Sequence, residues 1–279
     1  MRVTVLGAAV WGRGLCDYAD LERVVAAGRL DEDAEFIAPK PEAIPPRERR
    51  RAGLMINLAV TVAHQACEHA GVDKSQVPSV FVSSMGDTDI TDYMCRKLAQ
   101  PDKLLSPTKF HNSVHNAPSG YWTISAENRA PSSFVGGYDH SFGAGLLEAV
   151  SQVQASNQAV LLVVYDIENR QPFTDVSPIR ESFGAGLVLG PPQARSERAG
   201  IALQMQLALQ PDFSVAGGSR DDAVMTPDLA ELAAHNPSAA SLGLLEQMVY
   251  LGSGERTRAE LTIPAATRLG LHLTLTPRA

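Results

Sequence analysis

Two histidines four positions apart, His111 and His115, would share one face of a helix, the spacing at which paired imidazoles hold zinc. In the zinc-protease pattern a glutamate follows the first histidine as general base. Here Asn112 stands in its place, and Pro107 and Pro118 bracket a loop more readily than a helix. His111, His115 and Asn116 are therefore expected to fix a structural turn by hydrogen bonding, with no metal. Asp139 and His140 offer a carboxylate and an imidazole suited to acid/base work, but adjacent residues on a helix point apart. Residues 7–14, G-A-A-V-W-G-R-G, follow a strand as a phosphate-binding turn does, yet they match neither G-x-G-x-x-G nor the P-loop with its lysine. No G-x-S-x-G elbow marks a serine hydrolase. Cys16, Cys67 and Cys95 lie too far apart in sequence for a C-x-x-C site, and Cys67 and Cys95 read as core filling. Arg47, Arg49, Arg50 and Arg51 form a dense basic run at a helix N-terminus, where the macrodipole disfavours it. A solvated patch paired with Glu48 or a contact with an acidic partner accounts for the run.

These residues need elements to hold them. Arg2–Leu6 reads as a buried strand ending at Gly7, and Asp20–Ala27 as a helix closed by Gly28. Residues 31–46 are a loop rich in proline and charge. Over Arg49–Ala70 the apolar residues Met55, Leu58, Ala59, Val62 and Ala66 recur at helical spacing, and Gly71 ends the run. Ser79–Ser83 is a strand, followed by a helix from Thr88 to Ala99 and another opened by Pro118. Ser133–Gly136 is a strand, Ser141–Ala155 a helix and Ala159–Tyr165 a strand, an alternation that predicts βαβ units around a parallel sheet. Phe183–Leu189 and Gly200–Leu207 read as a hairpin. Gly217-Gly218-Ser219 marks a break, Pro227–Gln247 two short helices, and Thr257–Ile263 and Leu269–Leu275 two closing strands. The first turns of the Ser141 helix, Phe142 to Leu147, are apolar or small on every side, so this helix is expected to lie buried between two layers.

The 279 residues carry 24 Lys+Arg against 31 Asp+Glu, and a net charge of −7 disfavours nucleic acid, which needs a basic surface. With 44% hydrophobic residues and no apolar run near membrane-spanning length, the chain reads as a soluble globular protein without membrane insertion. Met1 leads into a β pattern rather than a secretory leader, and three cysteines make no disulfide framework. The expected location is cytoplasmic, with no cofactor.

In serial order, V-T-V-L-G, R-R-A-G-L-M, V-F-V-S-S-M-G, F-H-N-S-V-H-N-A-P-S-G-Y-W and S-F-G-A-G-L-V-L-G resemble the N-terminal half of a β-ketoacyl synthase, an enzyme of the thiolase-like α/β fold. The likeness covers about residues 2–207, and V-H-N-A-P-S-G-Y-W more narrowly resembles the chain-length-factor homologues of aryl polyene and related pigment pathways. It implies a mixed sheet with a buried central helix over residues 1–207 and a shortened or divergent region over 208–279.

By that resemblance, A-P-S-S-F-V-G-G-Y-D-H-S-F-G-A-G-L-L-E-A places Asp139 where the family has its nucleophilic cysteine, at a turn whose helix N-terminus stabilises a thiolate. Asp139 is then expected as an N-cap of the buried helix, worth about 0.5–2 kcal/mol. Neither His235 nor His272 sits in a synthase motif. The resemblance implies a subunit without catalysis of its own, paired as a heterodimer with an active β-ketoacyl synthase in fatty acid or polyketide-type biosynthesis. Ile90, Tyr93 and Met94 would shape the acyl tunnel or the interface, and an acyl carrier protein would dock mainly on the partner. The alternative is a stand-alone thioester decarboxylase or hydrolase that uses Asp139 and His140. Half of such a fold leaves a buried-type helix and a sheet edge to be covered by a partner or by the C-terminal residues.

Overall fold

The computed structural model describes residues 1–195, 203–211 and 226–277. The strand β1 (Arg2–Trp11) does not stop at Gly7 but runs four residues further. Gly7 is there for close packing: a Cβ on it would collide with the backbone of Ala70. The helix α1 (Tyr18–Ala27) starts at Asp17, whose carboxylate accepts the Asp20 N–H, and ends on Gly28 in the left-handed conformation.

The long helix read from the sequence is two. A single turn, α2 (Pro46–Arg49), is separated by Arg50–Gly53 from α3 (Leu54–Ala70), so the whole arginine run lies outside the long helix. Then follow β2 (Ser79–Val82), α4 (Thr88–Leu98), α5 (Pro107–Asn112), α6 (Ala117–Ser125), β3 (Ser132–Val135), α7 (Ser141–Ser156) and β4 (Val160–Asp166). The expected loop at Pro107 is the helix α5, because proline suits a first helical turn and Ser106 caps it. Beyond these come β5 (Phe183–Gly190), β6 (Leu203–Pro211), α8 (Pro227–Ala234), α9 (Leu242–Gly252), β7 (Ala259–Ala266) and β8 (Leu269–Pro277). Gly200 and Gly217-Gly218-Ser219 lie outside the described residues.

The strands form one mixed sheet in the order β3-β2-β4-β5-β1-β6-β8-β7. β2 pairs in parallel with β3 and with β4, as the βαβ alternation requires, and the remaining pairings are antiparallel. β5 and β6 are not a hairpin: β1 lies between them and pairs with both. Gly-Pro punctuation signals that the chain turns, and it does not reveal which strand fills the gap.

Each face of the sheet buries a separate apolar cluster. On one face α3 and α6 pack with Leu58, Val62 and Trp122 against Phe81, Val163 and Val188. On the other, α1, α7, α8 and α9 share a core with inward residues of β7 and β8, among them Phe142, Leu146, Leu245, Ile263 and Leu273. The expected buried position of α7 is observed, and the C-terminal residues supply its cover. At Gly143 the approach is backbone to helix, since a Cβ there would collide with the Pro264 carbonyl of β7.

Candidate functional site

β3 ends at Val135, the chain turns through Gly136 and Gly137, and a single 3₁₀ turn, Tyr138–His140, leads into α7. Ser141 builds this elbow. Its buried hydroxyl donates to the Tyr138 carbonyl at 2.7 Å and accepts the Gly137 N–H at 2.9 Å, which ties the turn to the first residue of the helix. Tyr138 has φ +50 and is 71% exposed, a left-handed conformation uncommon for a residue with a Cβ. Asp139 is exposed beside it and His140 half-buried.

Asp139 does not cap α7. The N-cap residue is His140, its side chain makes no cap bond, and Ser141 does the tying that was expected of Asp139. Among the described residues Asp139 and His140 share no hydrogen bond with each other.

Directly under the elbow lies a polar cluster that the sequence reading missed. A Cβ on Gly136 would stand 3.4 Å from the carbonyl oxygen of Ser83. The Ser83 hydroxyl, the Ser84 hydroxyl and the Ser84 N–H each donate to Asp166 Oδ1 at 2.8 Å, and the Ser238 hydroxyl donates to Oδ2 at 2.6 Å. Asn236 donates to the carbonyls of Asp166 and Glu181. Asp166 is buried, and desolvation raises its pKa above the ordinary carboxylate value against the opposing pull of the Ser238, Ser84 and Ser83 hydrogen bonds. The carboxylate joins the C-terminal ends of β2 and β4 to the turn between α8 and α9. A signal for it existed: Ser83-Ser84 and Asp166 each close an apolar strand, and two neighbouring parallel strands bring such ends together.

A second constellation has the residue types of a hydrolase and the wrong hydrogens. His64 Nε2 lies 3.1 Å from Ser125 Oγ, while Lys74 Nζ lies 3.3 Å from Nδ1. The lysine ammonium can only donate, so Nδ1 accepts and Nε2 carries the hydrogen. Ser125 in turn donates to the Trp122 carbonyl at 3.1 Å. The imidazole thus points a proton at the hydroxyl it would have to deprotonate, which is not general-base catalysis. Desolvation first and the Lys74 cation second lower the pKa of His64 to about 4, so the ring is neutral at ordinary pH.

Ser125 also borders an apolar cleft of about 450 Å³ between α2, α5 and α6, with Ile44, Phe110, Val114, Tyr121 and Ile124 in its wall. Phe110, Val114 and Ile124 are all more than half exposed. The residues expected to fix the turn before α6 stand at its side: His111 is exposed with its ring 6.3 Å from that of Tyr121, and Asn116 begins α6 without a side-chain cap bond. His115 faces away, its ring 5.0 Å from Phe134 of β3 and its Nδ1 2.9 Å from where a Cβ on Gly86 would lie. The side chain that ties this segment down is the buried Asn112, which donates to the Arg51 carbonyl at 2.9 Å.

Ile90 is buried on α4, and Tyr93 and Met94 are half-buried. Tyr93 holds α4 to α5: its hydroxyl accepts the Ser106 N–H at 2.9 Å, and Lys109 Nζ lies 4.0 Å from the ring centre. None of the three lines the cleft. Cys67 is buried, and desolvation pushes its thiol up to about 12, whereas Cys95, expected in the core, is exposed on α4. Among the described residues no cluster of metal-binding side chains occurs, and no helix is long and apolar enough to cross a membrane.

The β-ketoacyl synthase N-terminal domain matches residues 26–249 of the chain. No curated protein sequence matches it. Among solved structures, a ketosynthase in complex with its chain length factor from Xenorhabdus doucetiae aligns at 20% identity and TM-score 0.68, over 99% of this chain and 100% of that one. A type II polyketide synthase acyl-carrier protein in complex with its ketosynthase bound to the hexaketide aligns at 12% identity and TM-score 0.72, over 99% of both chains. A β-ketoacyl synthase from Burkholderia phymatum aligns at 11% identity and TM-score 0.66, over the whole of both chains. The thiolase-like ketosynthase fold therefore extends over the whole chain.

Proposed function

The chain belongs to the β-ketoacyl synthase N-terminal domain family, and from that premise we propose that it acts as a chain-length-factor-like subunit without a nucleophile of its own. It pairs with an active β-ketoacyl synthase in polyketide or fatty-acid-type biosynthesis, of the aryl polyene kind. The observation that carries this reading is the elbow. Its 3₁₀ turn is Tyr138-Asp139-His140, with no thiol at the N-terminus of α7, and Asp139 and His140 form no pair that could replace one.

The sheet edges support a protein partner. β7, at one end, carries Pro264 and a bulge beside it, features that blunt an edge. β3, at the other end, is Ser-Ser-Phe-Val, free of proline and charge, and among the described residues it pairs only with β2. An unblunted edge is a template for another strand. Ile90, Tyr93 and Met94, on the helix that follows β2, would shape the tunnel or the interface, and a carrier protein would dock mainly on the synthase. The solved complex of a ketosynthase with its chain length factor supplies the precedent for such a pair.

The test is co-expression with the synthase encoded beside this protein, reading heterodimer formation by co-purification and chain elongation by product analysis. Both should persist with Asp139→Ala. Thioester turnover by the isolated chain that disappears in Asp139→Ala would sink the proposal.

A further inference from the structure

Two short segments between α1 and α3 carry opposite net charge, four carboxylates in one and four guanidiniums with one carboxylate in the other. Residues 31–35 read Asp-Glu-Asp-Ala-Glu and residues 47–51 read Arg-Glu-Arg-Arg-Arg. Each is joined to apolar surface. Behind the acidic run stand Phe36 and Ile37, the latter 62% exposed although its carbonyl is fixed by the Trp11 indole N–H at 2.8 Å. The basic run begins at the rim of the cleft walled by Ile44, Phe110, Val114 and Ile124, where Pro45 and Glu48 themselves line the opening.

Among the described residues little neutralises either run. Asp31 and Glu32 make only loose exposed pairs with Arg23 and Arg29 at 3.8 Å, and Arg51 a loose one with Glu48 at 3.6 Å. Arg49 donates to the Pro41 carbonyl. Asp33, Glu35, Arg47 and Arg50 are exposed, and among the described residues their side chains have no hydrogen-bond or ion-pair partner.

From this complementarity we infer that the cleft receives a second copy of this chain: residues 31–37 of one protomer dock against residues 44–51 and the cleft of the other, with Ile37 as the apolar anchor. Both segments stand between α1 and α3, so a two-fold axis lets each protomer give and receive the same contact. The apolar anchor supplies affinity, and the facing charges supply register and a fast, salt-dependent encounter. This surface is separate from the β3 edge, so the inference holds whether or not a synthase pairs there.

Sedimentation velocity on the full chain over a concentration series, at low and at high salt, tests it. The expected result is a monomer–dimer equilibrium that salt weakens. Arg47→Glu with Arg50→Glu, or Asp33→Lys with Glu35→Lys, should each weaken self-association by about tenfold or more, and mixing the two variants should recover it part-way, because one of the two symmetric contacts is then unaltered on both sides. Ile37→Ser should weaken it with no salt dependence to its effect. Circular dichroism of each exposed-site variant reports whether the fold is retained. A chain that stays monomeric throughout, including one that binds an acidic foreign protein instead, overturns the inference. So does a dimer indifferent to these substitutions, which would place the contact elsewhere, the β3 edge included.

Discussion

Where α7 crosses the sheet, β7 lies so close that only glycine fits at position 143, and the polar ends of β2 and β4 beneath the elbow are joined through Asp166 to the turn before α9. Across the sheet, α6 packs on α3 and α5 on α4, and Phe110, Val114 and Ile124 are left open around a cleft. The same chain thus finishes one face and leaves the other available. The residues after position 226 explain the contrast, because α8, α9, β7 and β8 all contribute to the cluster that contains α7 and none to the cluster that contains α3. On the proposed reading, contacts between molecules belong on the α3 side and at the β3 edge, where the described residues supply no cover.

The largest test of this contrast is Asp166→Ala. It leaves the Ser83, Ser84 and Ser238 donors buried without an acceptor, and a loss of about 3 kcal/mol or more is expected as a lower urea midpoint at unchanged slope. Asp166→Asn keeps an acceptor oxygen and should recover most of that loss. Gly143→Val comes next. Its side chain displaces Pro264, and a cost of about 2–3 kcal/mol should appear in the same measurement. A neutral result would mean that β7 does not seal α7.

The third test is pH. His64 titrates near 4 in the folded chain against an ordinary value of 6.5, so between those values the unfolded chain binds the extra proton. Stability is therefore full above pH 6.5 and falls on acidification towards pH 4, by about 2–3 kcal/mol in all. His64→Gln should flatten this part of the stability–pH curve. The smallest effects are expected on the open surface: Asp139→Ala, Phe110→Ser and Ile124→Ser should each leave monomer stability within about 0.5 kcal/mol. A larger loss at Phe110 or Ile124 would show that the cleft is part of the monomer's core after all.

Much of the element plan was legible in the sequence because it is written locally. Helical spacing marked α3, all-round apolarity marked α7 as buried, and β-rich runs marked β2, β4 and β5. The breaks were read less well. Gly7 looked like a strand end and is a packing contact, and Pro107 looked like a loop and opens a helix. Each of those residues has two physical uses, and neighbours in sequence do not say which applies. At the elbow, the strand-turn-helix outline was legible, but the residue that holds it is Ser141 and not Asp139, because a side-chain hydrogen bond depends on rotamer and approach.

By itself the sequence determined the alternation of strand and helix, the acidic balance with its one dense arginine run, and a turn before α7 without a cysteine. These follow from composition and short-range periodicity, which act over a few residues. Only the tertiary structure decided that β1 separates β5 from β6, that Asp166 gathers three serines, that His64 carries its hydrogen towards Ser125, and that β7 comes home on Gly143. Each of these joins segments tens to hundreds of residues apart. Register, burial and hydrogen-bond direction at such distances are set by which surfaces finally meet, and no window of sequence contains that information.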